Sequence, residues 1–389
     1  MKKICIVTGG RADFWLLKGL MKAIESSHLL TFQLVVTGAH LSPEFGSTYK
    51  VIEFEGFKID HKIEMLVSSD SGSGVVKSIG LGLIGFADAL ETLKPDYLLV
   101  LGDRFEILAA SISALIQKIP IIHLHGGEKT EGAYDESIRH AISKMANYHF
   151  VAAAEYRNRL LQMGEKPNRV FNVGAIGLDA IKDIKIRSKD FLERELKFKF
   201  NNKNLLITYH PETLNSSDIE STFGQILIAL NKLKNTTMLF TLPNADNGSR
   251  VVIDLINNFA DNNDNVYVFS ALGHENYFSL MTHVDGVIGN SSSGIIEAPS
   301  FLVGTINIGD RQKGRICASS IINCRANYDD IMHAINTLYS NSFQKNLLSV
   351  INPYNSGGAV ESIVKILESE DMSDDVHKQF IDLNFEGNY

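Results

Sequence analysis

The stretch Tyr97-Leu-Leu-Val-Leu101-Gly102-Asp103-Arg104-Phe105-Glu106 decides the reading of the fold. Five apolar residues without a polar break predict a strand buried on both faces, and the glycine, acid and base that follow predict a turn into a helix. Outward from this stretch, Ile4–Val7, Phe32–Val36 and Ile119–His123 have the same character, and each precedes a helix-like segment. That alternation implies βαβ units and a parallel sheet. After the charged stretch Ile181–Lys203 come Leu205–Tyr209, Met238–Leu242, Asn265–Phe269, Gly286–Ile288 and Thr305–Ile308, which predict a second parallel sheet. The expected fold class is α/β with two Rossmann-like domains, residues 1–180 and 181–365, and a ligand site in the cleft where strands end.

A chain of 389 residues agrees with two domains, because single cores stop growing near ~250–300 residues. The net charge is −8 with no basic block, so no nucleic-acid partner is expected. The N-terminus Met1–Gly10 has too short an apolar run for a signal peptide or membrane span, so a cytoplasmic protein with no membrane partner is expected. Cys5, Cys317 and Cys324 lack C-x-x-C spacing and read as plain thiols. Gly80-Leu-Gly82-Leu-Ile-Gly85 matches the dinucleotide fingerprint by letter. It lies inside a helix-like run from Gly74 to Leu93 with no strand before it, and is read as close helix packing; no cofactor is expected.

Several strand ends carry groups capable of chemistry. Asp103 and Arg104 stand at active-site placement, with an N-cap role for Asp103 equally compatible with the segment. In His123-Leu-His125-Gly-Gly-Glu128-Lys129 period-two alternation puts both histidines on one face, and the paired glycines would let a ligand approach the backbone. His123, His125 and Glu128 could hold a metal, but H-x-H also arises from hydrogen-bonded imidazoles, and no metal is expected. In a helix from about Tyr134, Asp135 and Arg139 share a face with Ile138 and Ile142, which turns the carboxylate inward, as a proton-transfer group or a buried pair. His210-Pro211 ends the first strand of the second series. The loop Gly289-Asn-Ser-Ser-Ser-Gly294 opens a helix and reads as a phosphate site, with Glu297 placed to accept ribose hydroxyls. Arg311, Lys313 and Arg315 would offset a pyrophosphate.

These segments, in order, resemble the hydrolysing UDP-N-acetylglucosamine 2-epimerases of bacterial sialic-acid synthesis. The carriers are Thr8-Gly-Gly-Arg11-Ala-Asp13, Val36-Thr-Gly-Ala-His40, Gly102-Asp-Arg104, His125-Gly-Gly-Glu-Lys-Thr130, Asp135-Glu-Ser-Ile-Arg-His140, His210-Pro-Glu-Thr-Leu214, Asn244-Ala-Asp-Asn-Gly-Ser249, Gly289-Asn-Ser-Ser-Ser-Gly294 and Ile306-Asn-Ile-Gly-Asp-Arg-Gln-Lys-Gly-Arg315. The resemblance implies a glycosyltransferase-B type fold, with a C-terminal tail of about 366–389 returning to the first domain. It implies a UDP-sugar substrate, a homo-oligomer (dimer or tetramer), and anti elimination of UDP to 2-acetamidoglucal followed by hydration to N-acetylmannosamine. Asp103, Asp135 and His210 match the family's acid/base positions beside Arg139. Arg11, Ser291, Ser292, Gly294, Glu297 and Arg311 match its nucleotide contacts, with Asn244, His40 and Arg104 as further site residues. Many relatives have Glu where this chain has His125, so His125 or Glu128 would take that carboxylate's part. Many also have a small residue and a Lys where this chain has Trp15 and Leu16. A related branch acts on a 2,4-diacetamido-6-deoxy sugar in legionaminic-acid synthesis, and non-hydrolysing epimerases share the pattern.

Overall fold

The computed structural model describes residues 1–69, 71–182, 184–212, 219–243, 248–270, 272–369 and 377–382. The chain divides into two units: Met1–Glu128, Asp135–Ala180 and Tyr354–Tyr389 form the first, Lys129–Tyr134 and Ile181–Pro353 the second. The return to the first unit thus begins at Tyr354, ahead of the 365/366 boundary read from sequence, and a short excursion at Lys129–Tyr134 had no sequence signal.

The first unit holds a seven-stranded sheet of β1 (Lys2–Thr8), β2 (Leu30–Thr37), β3 (His61–Ile63), β4 (Tyr97–Leu101), β5 (Ile121–Leu124), β6 (Tyr148–Val151) and β7 (Val170–Asn172). Their spatial order is β3-β2-β1-β4-β5-β6-β7 and every pairing is parallel. The order reverses direction between β1 and β4, the switch point where an open sheet leaves a crevice beyond its carboxyl ends. Strand periodicity divides the core: Ile4 and Ile6 pack on one face with helices Arg11–Glu25 and Ala359–Glu368. Cys5 and Val7 pack on the other, with helices Gly72–Leu93, Phe105–Ile116 and Asp135–Met145. Burial on both faces explains the unbroken apolar runs, and it pushes the Cys5 thiol up to about 12.

The second unit holds β8 (Lys203–Thr208), β9 (Thr236–Thr241), β10 (Val266–Phe269), β11 (Gly286–Gly289), β12 (Gly304–Ile308) and β13 (Ile321–Cys324). Their order is β10-β9-β8-β11-β12-β13, again all parallel, with the switch between β8 and β11. Leu205 and Ile207 face helices Ile219–Leu230, Ser249–Asp261 and Tyr328–Leu338, while Leu206 faces Leu192 and helix His274–Met281. Strands β3, β6, β7 and β13 were absent from the sequence reading; β3 and β7 have three residues each, and the polar letters in Tyr148–Val151 and Ile321–Cys324 interrupt any apolar run. The fifth strand starts after Pro120, which cannot donate to a ladder.

Helix Gly72–Leu93 is the one described helix long and apolar enough to cross a membrane. A Cβ on Gly85 would lie 2.5 Å from Ile63 Cγ2, and one on Gly82 2.7 Å from Met65 Cε, whereas Gly80 meets open space. Two of the three fingerprint glycines therefore serve close packing.

The tail residues 377–382 end on the first unit. Lys378 Nζ donates to the Ser143 and Ala146 carbonyls at 2.9 and 2.5 Å, at the end of helix Asp135–Met145, and pairs with Glu165 at 2.7 Å. Lys144 and His149 hold the same carboxylate at 2.7 and 3.0 Å. Burial pushes the Glu165 carboxyl up, but the His149 hydrogen bond and the Lys378 and Lys144 charges outweigh it and set it at about 2. A depressed carboxyl contributes stability above its ordinary value of 4.5 that is lost as pH falls towards 2. Glu165→Gln should therefore cost about 3–5 kcal/mol at neutral pH. Thermal melts should show its deficit against the parent shrinking as pH falls from 4.5 to 2.

Candidate active site

At the switch point of the first sheet, β1 delivers Gly9, Gly10 and Arg11, and β4 delivers Gly102, Asp103 and Arg104. Arg104, with extended backbone, is the N-cap of helix Phe105–Ile116. Asp103 stands one residue outside, so the N-cap reading of Asp103 is set aside. Its carboxylate pairs instead with the Arg139 guanidinium. Arg139 is 2 % exposed, and it also donates to the Glu128 carbonyl at 3.0 Å and approaches Glu136 at 3.8 Å. A buried guanidinium needs such acceptors on every side. Asp135, on the first turn of the same helix, is half-buried.

The alternation argument for the two histidines fails at Leu124, where β5 ends; His125 has left-handed backbone at φ 61°. His123 is fully buried, with Nε2 2.7 Å from the Gly102 carbonyl and Nδ1 3.1 Å from Ser143 Oγ. A carbonyl can only accept, so Nε2 carries the proton and Nδ1 accepts from the hydroxyl. Burial lowers this imidazole to about 3. Neither nitrogen is left for a metal, which removes the three-ligand alternative. His125 differs: Nδ1 meets Glu128 Oε1 at 2.7 Å, Glu128 is 1 % exposed, and Nε2 is buried with no hydrogen-bond partner. A carboxylate at Nδ1 selects the tautomer in which Nε2 is a bare acceptor. The glycines between them serve packing rather than ligand approach, since a Cβ on Gly126 would lie 2.9 Å from Ser143 Oγ and one on Gly127 2.5 Å from the Tyr156 carbonyl.

Two buried groups brace this rim. His40 Nε2 meets Thr8 Oγ1 at 3.0 Å and Nδ1 meets Thr48 Oγ1 at 2.8 Å, and burial lowers the ring to about 4. With both nitrogens taken, His40 holds the end of β1 rather than offering a donor to a sugar. Glu106 is fully buried; burial raises its carboxyl and Arg104, at 3.2 and 3.3 Å, opposes the rise. Its side chain fills the space beside Gly9 and Gly38. Sequence reasoning gave Glu106 no role, although an acid in the first turn of an otherwise apolar helix was the available signal.

In the second unit His210 is nearly buried after β8. Asn290, after β11, accepts from the His210 amide at 2.7 Å and donates to the His210 carbonyl at 2.8 Å. The Asn290 carbonyl in turn receives Arg311 Nη1 at 3.0 Å and Gln312 Nε2 at 2.8 Å. One residue thus joins the histidine, serine-loop and basic-loop motifs, through its side chain to His210 and its backbone carbonyl to the basic loop, and the motif reading gave Asn290 no role of its own. Glycine is required at 289, where a Cβ would lie 1.8 Å from the Thr208 carbonyl. The serine-loop helix is only Ser292–Ile296, too short for a full helix dipole. Ser291 caps it by accepting from the Ser293 amide at 3.4 Å, and Ser293 Oγ accepts from Tyr277 at 3.1 Å. Gly294 packs against Thr305 at 2.8 Å from a would-be Cβ. Glu297 is 7 % exposed at the end of that helix. The Lys129–Tyr134 excursion lies on the basic loop, with the Glu131 amide donating to the Lys313 carbonyl at 3.0 Å. Asn244 lies outside the described residues, as do Thr213 and Leu214.

Residues 22–368 match the family model described as UDP-N-acetylglucosamine 2-epimerase. The chain belongs to that family. It is 44% identical over 384 residues, 98% of this chain and 99% of the relative, to a GDP/UDP-N,N'-diacetylbacillosamine 2-epimerase (hydrolyzing) of Campylobacter jejuni. It is 36% identical over 370 residues, covering 95% and 94%, to polysialic acid biosynthesis protein P7 of Escherichia coli. Among solved structures, the Neisseria meningitidis UDP-GlcNAc 2-epimerase bound to UDP-GlcNAc superposes with a TM-score of 0.80 at 22% identity, covering 94% and 99%. That likeness establishes the shared fold of two parallel α/β units.

Asn290→Ala would strand the His210 amide and carbonyl, two buried groups at about 1–3 kcal/mol each. Urea unfolding should show a lower midpoint with unchanged slope, and Asn290→Asp, which sets a buried carboxylate against the His210 carbonyl, should lower it at least as far.

Proposed function

We propose that this chain is a hydrolysing 2-epimerase acting on a nucleoside-diphosphate-linked 2,4-diacetamido-2,4,6-trideoxyhexose. The observation that carries this reading is the 44% identity, across both chains' full lengths, to an enzyme named for that hydrolysing reaction. The second reading keeps the reaction and takes UDP-N-acetylglucosamine, giving N-acetylmannosamine for a sialic-acid route; the 36% identity to the polysialic acid biosynthesis protein favours it.

The reaction conserves oxidation state and needs no redox cofactor. A base removes the C2 proton while the C1–O bond breaks and the nucleoside diphosphate leaves, giving a 2-acetamidoglycal. Water then adds its hydroxyl at C1, and a proton arrives on the opposite face of C2. The C2 proton is weakly acidic, so a positioned base must act in concert with leaving-group stabilisation. The chain offers Asp103 and Asp135 near Arg139, the His125 Nε2 oriented by Glu128, and His210. Arg11, Ser291, Ser292, Gly294, Glu297 and Arg311 are proposed for the nucleotide, with Asn244 as a further nucleotide contact and Arg104 nearest the sugar. His125, in place of a glutamate, remains a base because Glu128 supports it at 2.7 Å.

The test compares release of free nucleotide from GDP- and UDP-linked diacetamido sugar and from UDP-N-acetylglucosamine. The diacetamido substrate should give kcat/KM at least tenfold higher; parity or reversal supports the second reading, and a nucleotide-linked epimer would overturn hydrolysis. In deuterated water the free sugar should carry deuterium at C2, and from H2(18)O no label should enter the diphosphate. Asp135→Asn keeps shape and loses proton transfer. It should abolish most turnover with nearly unchanged nucleotide affinity by calorimetry, whereas near-normal turnover in the folded variant would remove Asp135 from the mechanism.

A further inference from the structure

Building on the reaction proposed above, we propose that Glu106 is a positioning residue in it: the buried carboxylate grips the Arg104 guanidinium by one edge and holds it where charge develops on the oxygen leaving C1.

Glu106 lies in the first turn of helix Phe105–Ile116 and is 0 % exposed. Burial raises its carboxyl, Arg104 and its own amide oppose the rise, and Asp13 adds to it. Stability alone does not call for a charge here, because well-packed apolar side chains often replace buried ion pairs without loss. Methionine, of similar length, would fill the same space with nothing to desolvate.

The carboxylate stands where three turns of the switch point meet. Strands β1 and β4 pair in parallel, Ile4 with Tyr97 and Ile6 with Leu99, which sets the Gly9 turn beside the Gly102–Arg104 turn. A Cβ on Gly9 would lie 3.4 Å from the Glu106 side chain. One on Gly38, after β2, would lie 2.6 Å from Glu106 Oε1 and 2.8 Å from the Gly9 carbonyl, and Gly38 has left-handed backbone at φ 58°. Backbone thus walls the carboxylate on the β1 and β2 sides. On the β4 side Arg104 Nε donates to Oε2 at 3.2 Å and Nη2 to Oε1 at 3.3 Å. Two parallel bonds fix the plane of the guanidinium as well as its place. Side-chain exposure rises from 0 % at Glu106 to 17 % at Arg104, so the pair runs from the core to the accessible end of the β4 turn.

Breaking the C1–O bond puts negative charge on the departing diphosphate, and a cation fixed beforehand stabilises it without reorganising. Lysine would supply the charge but not the fork. The same grip keeps Arg104 off the adjacent Asp103, whose carboxylate is left to Arg139.

The experiment measures nucleotide release by the full chain from whichever of the GDP- or UDP-linked diacetamido sugar and UDP-N-acetylglucosamine the parent turns over, with thermal melts as the control for folding. Glu106→Gln should lower kcat at least thirtyfold with KM within threefold, since the interaction strengthens only as charge develops. Arg104→Lys should lose at least tenfold and Arg104→Ala at least a hundredfold. Methylguanidinium, below concentrations that unfold the parent, should restore Arg104→Ala at least tenfold, and methylammonium less than a third as much. The double variant Glu106→Gln/Arg104→Ala should lie within twofold of Arg104→Ala and gain nothing from methylguanidinium. A folded Glu106→Gln variant within threefold of the parent, additive losses in the double variant, or rescue that persists without the carboxylate would overturn the proposal. Where Glu106→Gln does not fold, equal rescue by the two cations or Arg104→Lys at the parental rate would overturn it. A parent inert on every one of these sugars sinks the reaction itself, whereas an active parent with any of those results sinks the part of Glu106 alone.

Discussion

A guanidinium sealed from water must be ringed by acceptors, and Arg139 in the first unit imposes that constraint on three segments. It draws Asp103 from the end of β4 and the Glu128 carbonyl from the loop after β5, and it faces Glu136 on its own helix. An unpaired buried charge is costly enough that these elements must arrive together or not at all. The acid/base candidates of this unit therefore occupy fixed positions, although they come from separate loops. The far end of the Arg139 helix is held as well, where Lys378 occupies two of its last carbonyls. Both ends of the segment carrying Asp135 are thus anchored by cations.

The second unit reaches the same rigidity without a buried charge. Asn290 is 0 % exposed and spends its side chain on the two backbone groups of His210 and its carbonyl on Arg311 and Gln312. An amide can serve this purpose because it carries donor and acceptor together. An ionised aspartate would have no donor for the His210 carbonyl. Gly289 brings the strand close enough for the clamp, its missing side chain standing where the Thr208 carbonyl lies.

Much of this was legible from the residues. Buried strands announce themselves by runs rich in apolar residues, and nine such runs located the two sheets. The four remaining strands span three or four residues and depend on neighbours that sequence does not reveal. Helical spacing put Asp135 and Arg139 on one inward face, which agrees with the burial of Arg139. Spacing could not show that its guanidinium meets Asp103, because that contact spans 36 residues. Strand alternation misplaced His125, because nothing in His123-Leu-His125 marks the left-handed residue that ends the strand. Gly126 and Gly127 looked like a ligand approach because a glycine packed against its own chain has the same letter. His40 likewise reads as a pocket residue until its two threonine partners are seen.

The left-handed turn at His125 has a chemical consequence. A regular strand would send Glu128 away along the chain, whereas the turn brings its carboxylate back to His125 Nδ1 three residues earlier. A glutamate at position 125 would present its own charge directly. A neutral imidazole alone there would have a free choice of tautomer. Glu128 removes that choice by accepting from Nδ1, which leaves the lone pair on Nε2, the buried nitrogen without a partner. A neutral imidazole at this position presents its Nε2 lone pair because the glutamate follows at this interval, in this backbone conformation. Histidine 125, the two glycines and Glu128 are one device, and each is intelligible only with the others.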